Sequence, residues 1–103
     1  MEIISGIYCV TNKVNNKKYI GLSKDIYRRW SEHKRVPFCP TSKEYNYPLY
    51  NAIRKYGLEN FDFIILEQCD NQEFLKEKEK KWIEYYDSIN NGYNLTEGGE
   101  CSV

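Results

Sequence analysis

The tightest constraint on how this chain can fold lies in its first 23 residues. Ile3-Ile4-Ser5-Gly6-Ile7-Tyr8-Cys9-Val10 is rich in β-branched and aromatic side chains, and Lys18-Tyr19-Ile20-Gly21-Leu22 repeats that character. Between them Asn15-Asn16 is a turn signal. The segment therefore reads as a β-hairpin. Tyr8 and Tyr19 share a face of that hairpin whenever the connecting loop has an even number of residues. Gly6 and Gly21 stand inside the strands, where glycine often permits close approach of a ligand or of another backbone.

The rest of the chain punctuates itself clearly. Ser23 can cap a helix from about Asp25 to Arg35, with Ile26, Trp30 and His33 on one face. Pro37 and Pro40 break the chain, and Pro48 is placed to open a second helix that ends at Gly57. Phe61 to Leu66 reads as a third strand, and Asn71 as the cap of a long third helix from Gln72 to about Ser88. Asn91-Gly92 turns the chain into a short last strand, Tyr93-Asn94-Leu95. The expected order is ββααβαβ, an α+β fold with a small mixed β-sheet flanked by three helices. At 103 residues this is one domain, able to bury roughly 65% of its unfolded surface without metal or disulfide staples.

Composition closes several other routes. Hydrophobic residues make up 41% and charged residues 29%, a globular balance, and the longest notable apolar run is Phe63-Ile64-Ile65-Leu66. That run is far short of the ~20 residues of a spanning helix, so no membrane partner is expected. The N-terminus has neither a basic segment nor a long apolar one, which points to the cytoplasm. Cys9, Cys39, Cys69 and Cys101 are widely spaced and the chain has one histidine, so free thiols are expected rather than structural zinc or a disulfide framework. Net charge is zero but unevenly spread: residues 1–55 hold 11 Lys/Arg against 4 Asp/Glu, and residues 56–103 hold 4 against 11. Either the basic half serves a polyanion, or the two halves neutralise each other across an interface.

Three groups could carry chemistry. On the third helix Leu75, Trp82, Ile83 and Tyr86 form one apolar face, and Glu79 falls on that stripe, whereas Glu73, Glu77 and Glu84 face away. A carboxylate on an apolar face must be paired, hydrogen-bonded or bound to a metal. On the first helix Arg29 and His33 are i, i+4 neighbours able to grip one phosphate, or else ordinary surface groups, with Arg28 pointing elsewhere. The hairpin adds Tyr8 and Tyr19, for which core packing is the competing role.

In order along the chain, Gly6-Ile7-Tyr8, Tyr19-Ile20-Gly21, Arg29-Trp30 with His33, Glu79 before Trp82-Ile83, and Asn91-Gly92-Tyr93-Asn94 resemble the signature of the GIY-YIG nuclease superfamily. The Lys55-Tyr56-Gly57 segment ahead of strand three and the closing Asn-Gly-Tyr-Asn are similar to its phage and intron-encoded homing endonucleases. The resemblance implies a phosphodiesterase dependent on a divalent metal, Mg2+ or Mn2+, that cuts double-stranded DNA. It matches Glu79 to the metal-binding glutamate, Arg29 to the phosphate-binding arginine, and Tyr8 to the tyrosine acting as general base. Tyr19 matches the second, orienting tyrosine, His33 a histidine found there in several members and an alternative base, and Asn94 the supporting asparagine. It further implies a catalytic domain over residues 1–96, with 97–103 a tail or the start of a linker. Homing members usually continue into a separate DNA-binding module. A restriction- or repair-type nuclease, and a non-catalytic DNA-binding module of the same fold, are the competing readings.

Overall fold

A computed structural model describes residues 3–94. Its elements are β1 (Gly6–Asn12), β2 (Lys18–Ser23), α1 (Ile26–Arg35), α2 (Pro48–Tyr56), β3 (Phe61–Gln68) and α3 (Gln72–Tyr86), with 3₁₀ turns at Val36–Phe38 and Leu58–Asn60. The strands lie in the order β2-β1-β3. β1 is central and antiparallel to both neighbours, so the sheet is not mixed. No helix among the described residues is long and apolar enough to cross a membrane.

The hairpin turn sets which side chains share a face. The Asn12 amide donates to the Lys17 carbonyl at 2.9 Å, which leaves four residues between them, and Asn16 turns the chain with φ 63°. Asparagine tolerates that left-handed conformation better than most residues. The even count pairs Tyr8 with Gly21 and Val10 with Tyr19. These four residues therefore face the same way, as the hairpin parity required.

Because β1 is central, both of its faces are buried. Tyr8 and Val10 pack with Ile26 of α1, Leu49, Tyr50 and Ile53 of α2, and Phe61 of β3. Ile7, Cys9 and Ile20 on the opposite face pack against Leu75 and Ile83 of α3. Gly6 belongs where it is for a steric reason: a Cβ there would meet the Glu67 carbonyl oxygen of β3 at 2.0 Å. Glu67 in turn anchors α3, accepting from Trp82 Nε1 at 3.2 Å and pairing with Lys78.

Helix boundaries differ slightly from expectation. Asp25, not Ser23, caps α1, its Oδ1 accepting from the Arg28 amide at 3.2 Å; Ser23 Oγ accepts from the Asp25 amide instead. Asn71 caps α3 as expected, accepting from the Glu73 amide at 2.9 Å. α3 stops at Tyr86 because Asp87 takes up φ 50° and ψ 45°, the left-handed conformation that ends helices.

The expected last strand is the larger correction. Tyr93 and Asn94 form no strand, and Leu95 lies outside the described residues. They still close the free edge of β2, by other means. The Tyr93 amide donates to the Lys18 carbonyl at 2.9 Å, and Gly92 is required because a Cβ there would meet that same oxygen at 2.2 Å. The Asn94 side chain then does a strand's work: its Oδ1 accepts from the Ile20 amide at 2.8 Å and its Nδ2 donates to the Ile20 carbonyl at 2.9 Å. One side-chain amide has replaced a rung of backbone ladder.

That clamp should be costly to remove. In Asn94→Ala the Ile20 amide and carbonyl lose both partners, so the fold should lose about 1–3 kcal/mol. Urea unfolding measures the loss, and hydrogen exchange should place it at the Ile20 amide. Unchanged exchange at Ile20 would contradict the clamp.

Candidate active site

Four elements bring the candidate residues together. Tyr8 rises from β1 and Tyr19 from β2 on the same face of the sheet, while α1 crosses above them carrying Arg29 and His33. Tyr8 Oη and His33 Nε2 lie 2.7 Å apart. His33 Nδ1 lies 2.7 Å from the hydroxyl of Tyr50, on α2. The Tyr19 ring stands edge-on to His33 at 5.7 Å between centroids, and Trp30 stands edge-on to Tyr8 at 6.1 Å. Tyr8, His33 and Tyr50 are each 1% exposed.

Gly21 makes this approach possible. It is the cross-strand partner of Tyr8, and a Cβ on it would sit 2.4 Å from both Cζ and Oη of the Tyr8 ring. The phenol therefore lies across bare backbone. Any side chain at position 21 would push it out of register with His33.

Burial decides the charge states. It drives the His33 imidazole down to about 3, and the neighbouring Arg29 cation pushes the same way, so the ring is neutral at ordinary pH. A neutral imidazole has one donor and one acceptor nitrogen, and here each faces a phenol. Burial also lifts the Tyr8 phenol well above its ordinary value; the Tyr19 phenol opposes ionisation too, while Arg29 favours it. Tyr19 is pushed up to about 12, again chiefly by burial, with Arg29 acting to lower it and the Glu79 carboxylate to raise it.

Arg29 is held on the other side by carboxylates. Its Nη1 donates to Glu32 Oε1 at 2.8 Å, and its Nη2 lies 3.6 Å from Glu44 Oε2, in the connection between α1 and α2. Burial alone would weaken the guanidinium's hold on its proton, but the Glu32 hydrogen bond and the surrounding phenols outweigh it. Arg28 is exposed and stands outside the tyrosine cluster. Both arginines nevertheless line one cavity of about 430 Å3, together with Lys24 and Lys76. Glu79 is buried on α3 in line with Leu75 and Ile83, as the helical spacing required, while Glu73, Glu77 and Glu84 are exposed. Among the described residues no cluster of three or more His, Cys, Asp or Glu side chains could hold a metal.

Of the residues that the sequence reading named, the structure brings Tyr8, Tyr19, Arg29 and His33 into one cluster, sets Glu79 within electrostatic reach of Tyr19, and puts Asn94 on the β2 edge beside Ile20; that reading had placed Asn94 in a strand. It missed Tyr50, Glu32 and Glu44. Glu32 had a signal, its i, i+3 spacing from Arg29. Tyr50 had only the general rule that a buried phenol needs a polar partner.

The profile of the GIY-YIG catalytic domain matches residues 4–94, nearly the whole described chain. The chain belongs to the GIY-YIG catalytic domain family. It is 35% identical over 105 aligned residues to intron-associated endonuclease 1 of Enterobacteria phage T4, covering 96% of this chain and 41% of that protein. It therefore spans less than half the length of that curated relative. A solved structure of the catalytic domain of homing endonuclease I-TevI superposes with a TM-score of 0.79 at 32% identity, covering 89% of this chain and 98% of that one. A mutant form of the same intron endonuclease's catalytic domain superposes with a TM-score of 0.78 at 33% identity, over 93% and 97% of the two chains. As a GIY-YIG domain the chain has an α+β fold with a three-stranded antiparallel sheet and three helices.

The buried neutral histidine has a measurable cost in acid. His33 sits near 3 in the fold against about 6.5 when unfolded, so the unfolded chain binds the extra proton between those values. Stability is complete above the upper value and is lost as pH falls toward the lower one. From about pH 7.5 to about pH 5.5, where ordinary carboxylates stay charged, the parent should lose about 1.4 kcal/mol in urea unfolding. A flat profile across that window would show that His33 is not held neutral.

Proposed function

We propose that this chain is the catalytic domain of a divalent-metal-dependent endonuclease that hydrolyses phosphodiester bonds of double-stranded DNA. The observation that carries the reading is the convergence of Tyr8, Tyr19, His33 and Arg29, with the Tyr8 ring laid over Gly21 and the Glu79 carboxylate of α3 within electrostatic reach of Tyr19. Family membership and the endonuclease names of the relatives support it. The homing type is favoured, and residues 1–96 would form the domain.

Glu79 would hold the metal. A buried carboxylate within electrostatic reach of Tyr19 suits Mg2+ or Mn2+: Mg2+ keeps much of its water shell and takes one or two carboxylates rather than a protein cage. Structural zinc would need a closed ligand set, which fits this donor arrangement poorly. When bound, the ion supplies positive charge against the developing phosphorane and lowers the pKa of water near the scissile bond.

The chain's own residues do the rest. Arg29 would place its planar fork on the phosphate oxygens, where negative charge grows. Glu32 holds that fork at hydrogen-bond distance, whereas Glu44, at 3.6 Å, is the looser partner and the easier one for a phosphate to replace. His33 has both ring nitrogens engaged with phenols, which favours Tyr8 over His33 as the proton acceptor for the attacking water. Phenolate at Tyr8 is opposed by burial and favoured by Arg29. Tyr19 packs against His33 and orients the cluster, and Asn94 fixes the strand that carries it by clamping Ile20. Lys24, Arg28 and Lys76, around the cavity that Arg29 shares, would hold the flanking DNA backbone without reading sequence.

Supercoiled plasmid tests the reading. The chain should nick it with Mg2+ and stop when the metal is chelated. Glu79→Gln should lose about 100-fold or more in rate, about 2.7 kcal/mol in the barrier, with the fold retained. Glu77→Gln, exposed on the same helix, should cleave like the parent. Metal-independent cleavage, or a parent that binds DNA without cutting it, would overturn the proposal.

A further inference from the structure

Both terminal nitrogens of Arg29 already face a carboxylate. Glu32 Oε1 accepts from Nη1 at 2.8 Å, and Glu44 Oε2 stands 3.6 Å from Nη2. A two-point grip on a phosphate uses neighbouring N–H groups of the planar fork. With Nη1 given to Glu32, that grip runs through the nitrogen that Glu44 faces. The charges point the same way. One guanidinium between two carboxylates leaves a net negative charge, and the Glu44 carboxylate also opposes ionisation of the Tyr19 and Tyr50 phenols. A phosphodiester drawn to Arg29 in this state is met by like charge.

The two carboxylates are not equivalent. Glu32 sits three residues from Arg29 on the same helix and makes a true hydrogen bond, which fixes the direction of the fork. The Glu44 contact is beyond hydrogen-bond length, so it supplies charge without direction. Glu44 is nevertheless presented to Arg29 by a well-tied backbone. Its amide donates to Ser42 Oγ at 3.1 Å, and its carbonyl accepts from the Tyr47 amide at 2.9 Å. The next residue, Tyr45, lies with its ring 3.7 Å from the guanidinium of Arg54 on α2, and Arg54 Nη1 donates to the Pro37 carbonyl at 2.6 Å. The connection is thus tied to α2, and the part of Glu44 left to move is its side chain. That side chain is 23% exposed and has solvent to turn into.

We infer that Glu44 is a built-in competitor for phosphate: in the free protein its carboxylate guards the Nη2 side of Arg29, and a phosphate binds there only as that side chain swings aside. Glu32 stays in place throughout and keeps the fork aimed. The two acids therefore divide the work, one orienting the guanidinium and the other setting how tightly it takes an anion. Replacing Glu44 by its neutral isostere removes the competing charge and leaves the tied backbone as it is. The inference rests on the reading of Arg29 as the phosphate-binding residue, but it concerns anion affinity and does not require that the chain cut DNA.

His33 is the one histidine in the chain and feels the charge of Arg29, so ¹⁵N-histidine labelling gives a single reporter beside the guanidinium. Inorganic phosphate is titrated into the labelled protein without metal or DNA. Glu44→Gln should bind phosphate about tenfold more tightly than the parent, and should lower KM for plasmid nicking by a similar factor. The gain should disappear in Arg29→Ala/Glu44→Gln measured against Arg29→Ala, because it runs through that one guanidinium. Asp62→Asn, which removes an exposed acid on β3, should leave phosphate affinity at the parent's value. Phosphate binding no tighter in Glu44→Gln than in the parent overturns the inference, and so does an equal gain when Arg29 is absent. If Glu44→Gln gains phosphate affinity through Arg29 yet neither protein cuts DNA, the functional proposal fails and the role of Glu44 stands.

Discussion

The phenol of Tyr8, laid across the bare backbone of Gly21 and held 2.7 Å from His33, is the contact on which the rest of the site depends. It needs a hairpin with an even loop, so that position 8 faces position 21 and not the opposite side of the sheet. It needs glycine at 21, because a methyl group would occupy the place of the ring. It also needs α1 to cross that face with His33 inward, which the buried Ile26 at the start of the helix secures. Close packing at this point leaves little slack, and a shift of the ring is transmitted to every group that touches it.

Much of this was legible in the residues themselves. Strand alternation and the Asn-Asn turn gave the hairpin and its shared tyrosine face, and the 3.6-residue period placed Glu79 on the buried stripe between Leu75 and Ile83. Pro48 and Asn71 marked helix starts because their chemistry suits those positions ahead of an apolar-periodic segment. What was not legible came from contacts between distant segments. Tyr93-Asn94 looks like a strand by composition, yet it meets β2 through one amide and one side chain, a substitution that local propensity cannot register. Tyr50 sits in an unremarkable helical stretch and acquires its meaning only from a histidine 17 residues away.

The split in charge along the chain is resolved in the same physical terms. The two halves do meet, as Lys13 and Asp62 do at 3.7 Å between exposed side chains, a pairing of little energetic weight. The basic half has a more particular arrangement. Arg29 is drawn into the cluster and paired with Glu32 and Glu44 of its own half, while Lys24 and Arg28 remain around the adjoining cavity with Lys76. The basic side chains around that cavity thus border one partly buried guanidinium, the arrangement that the proposed function would use.

Gly21→Ala puts the dependence on Tyr8 to its most direct test, because in an unstrained strand the same change should help rather than harm: glycine there costs about 0.5–1 kcal/mol relative to alanine. Histidine-labelled protein carrying the substitution can be followed by the His33 ¹⁵N signal and by plasmid nicking, with circular dichroism confirming the fold. The expected result is a folded protein whose His33 signal has moved and whose cleavage has fallen about 100-fold. A variant with the parent's His33 signal, the parent's cleavage and raised stability would show that the Tyr8–Gly21 contact does not hold the site together.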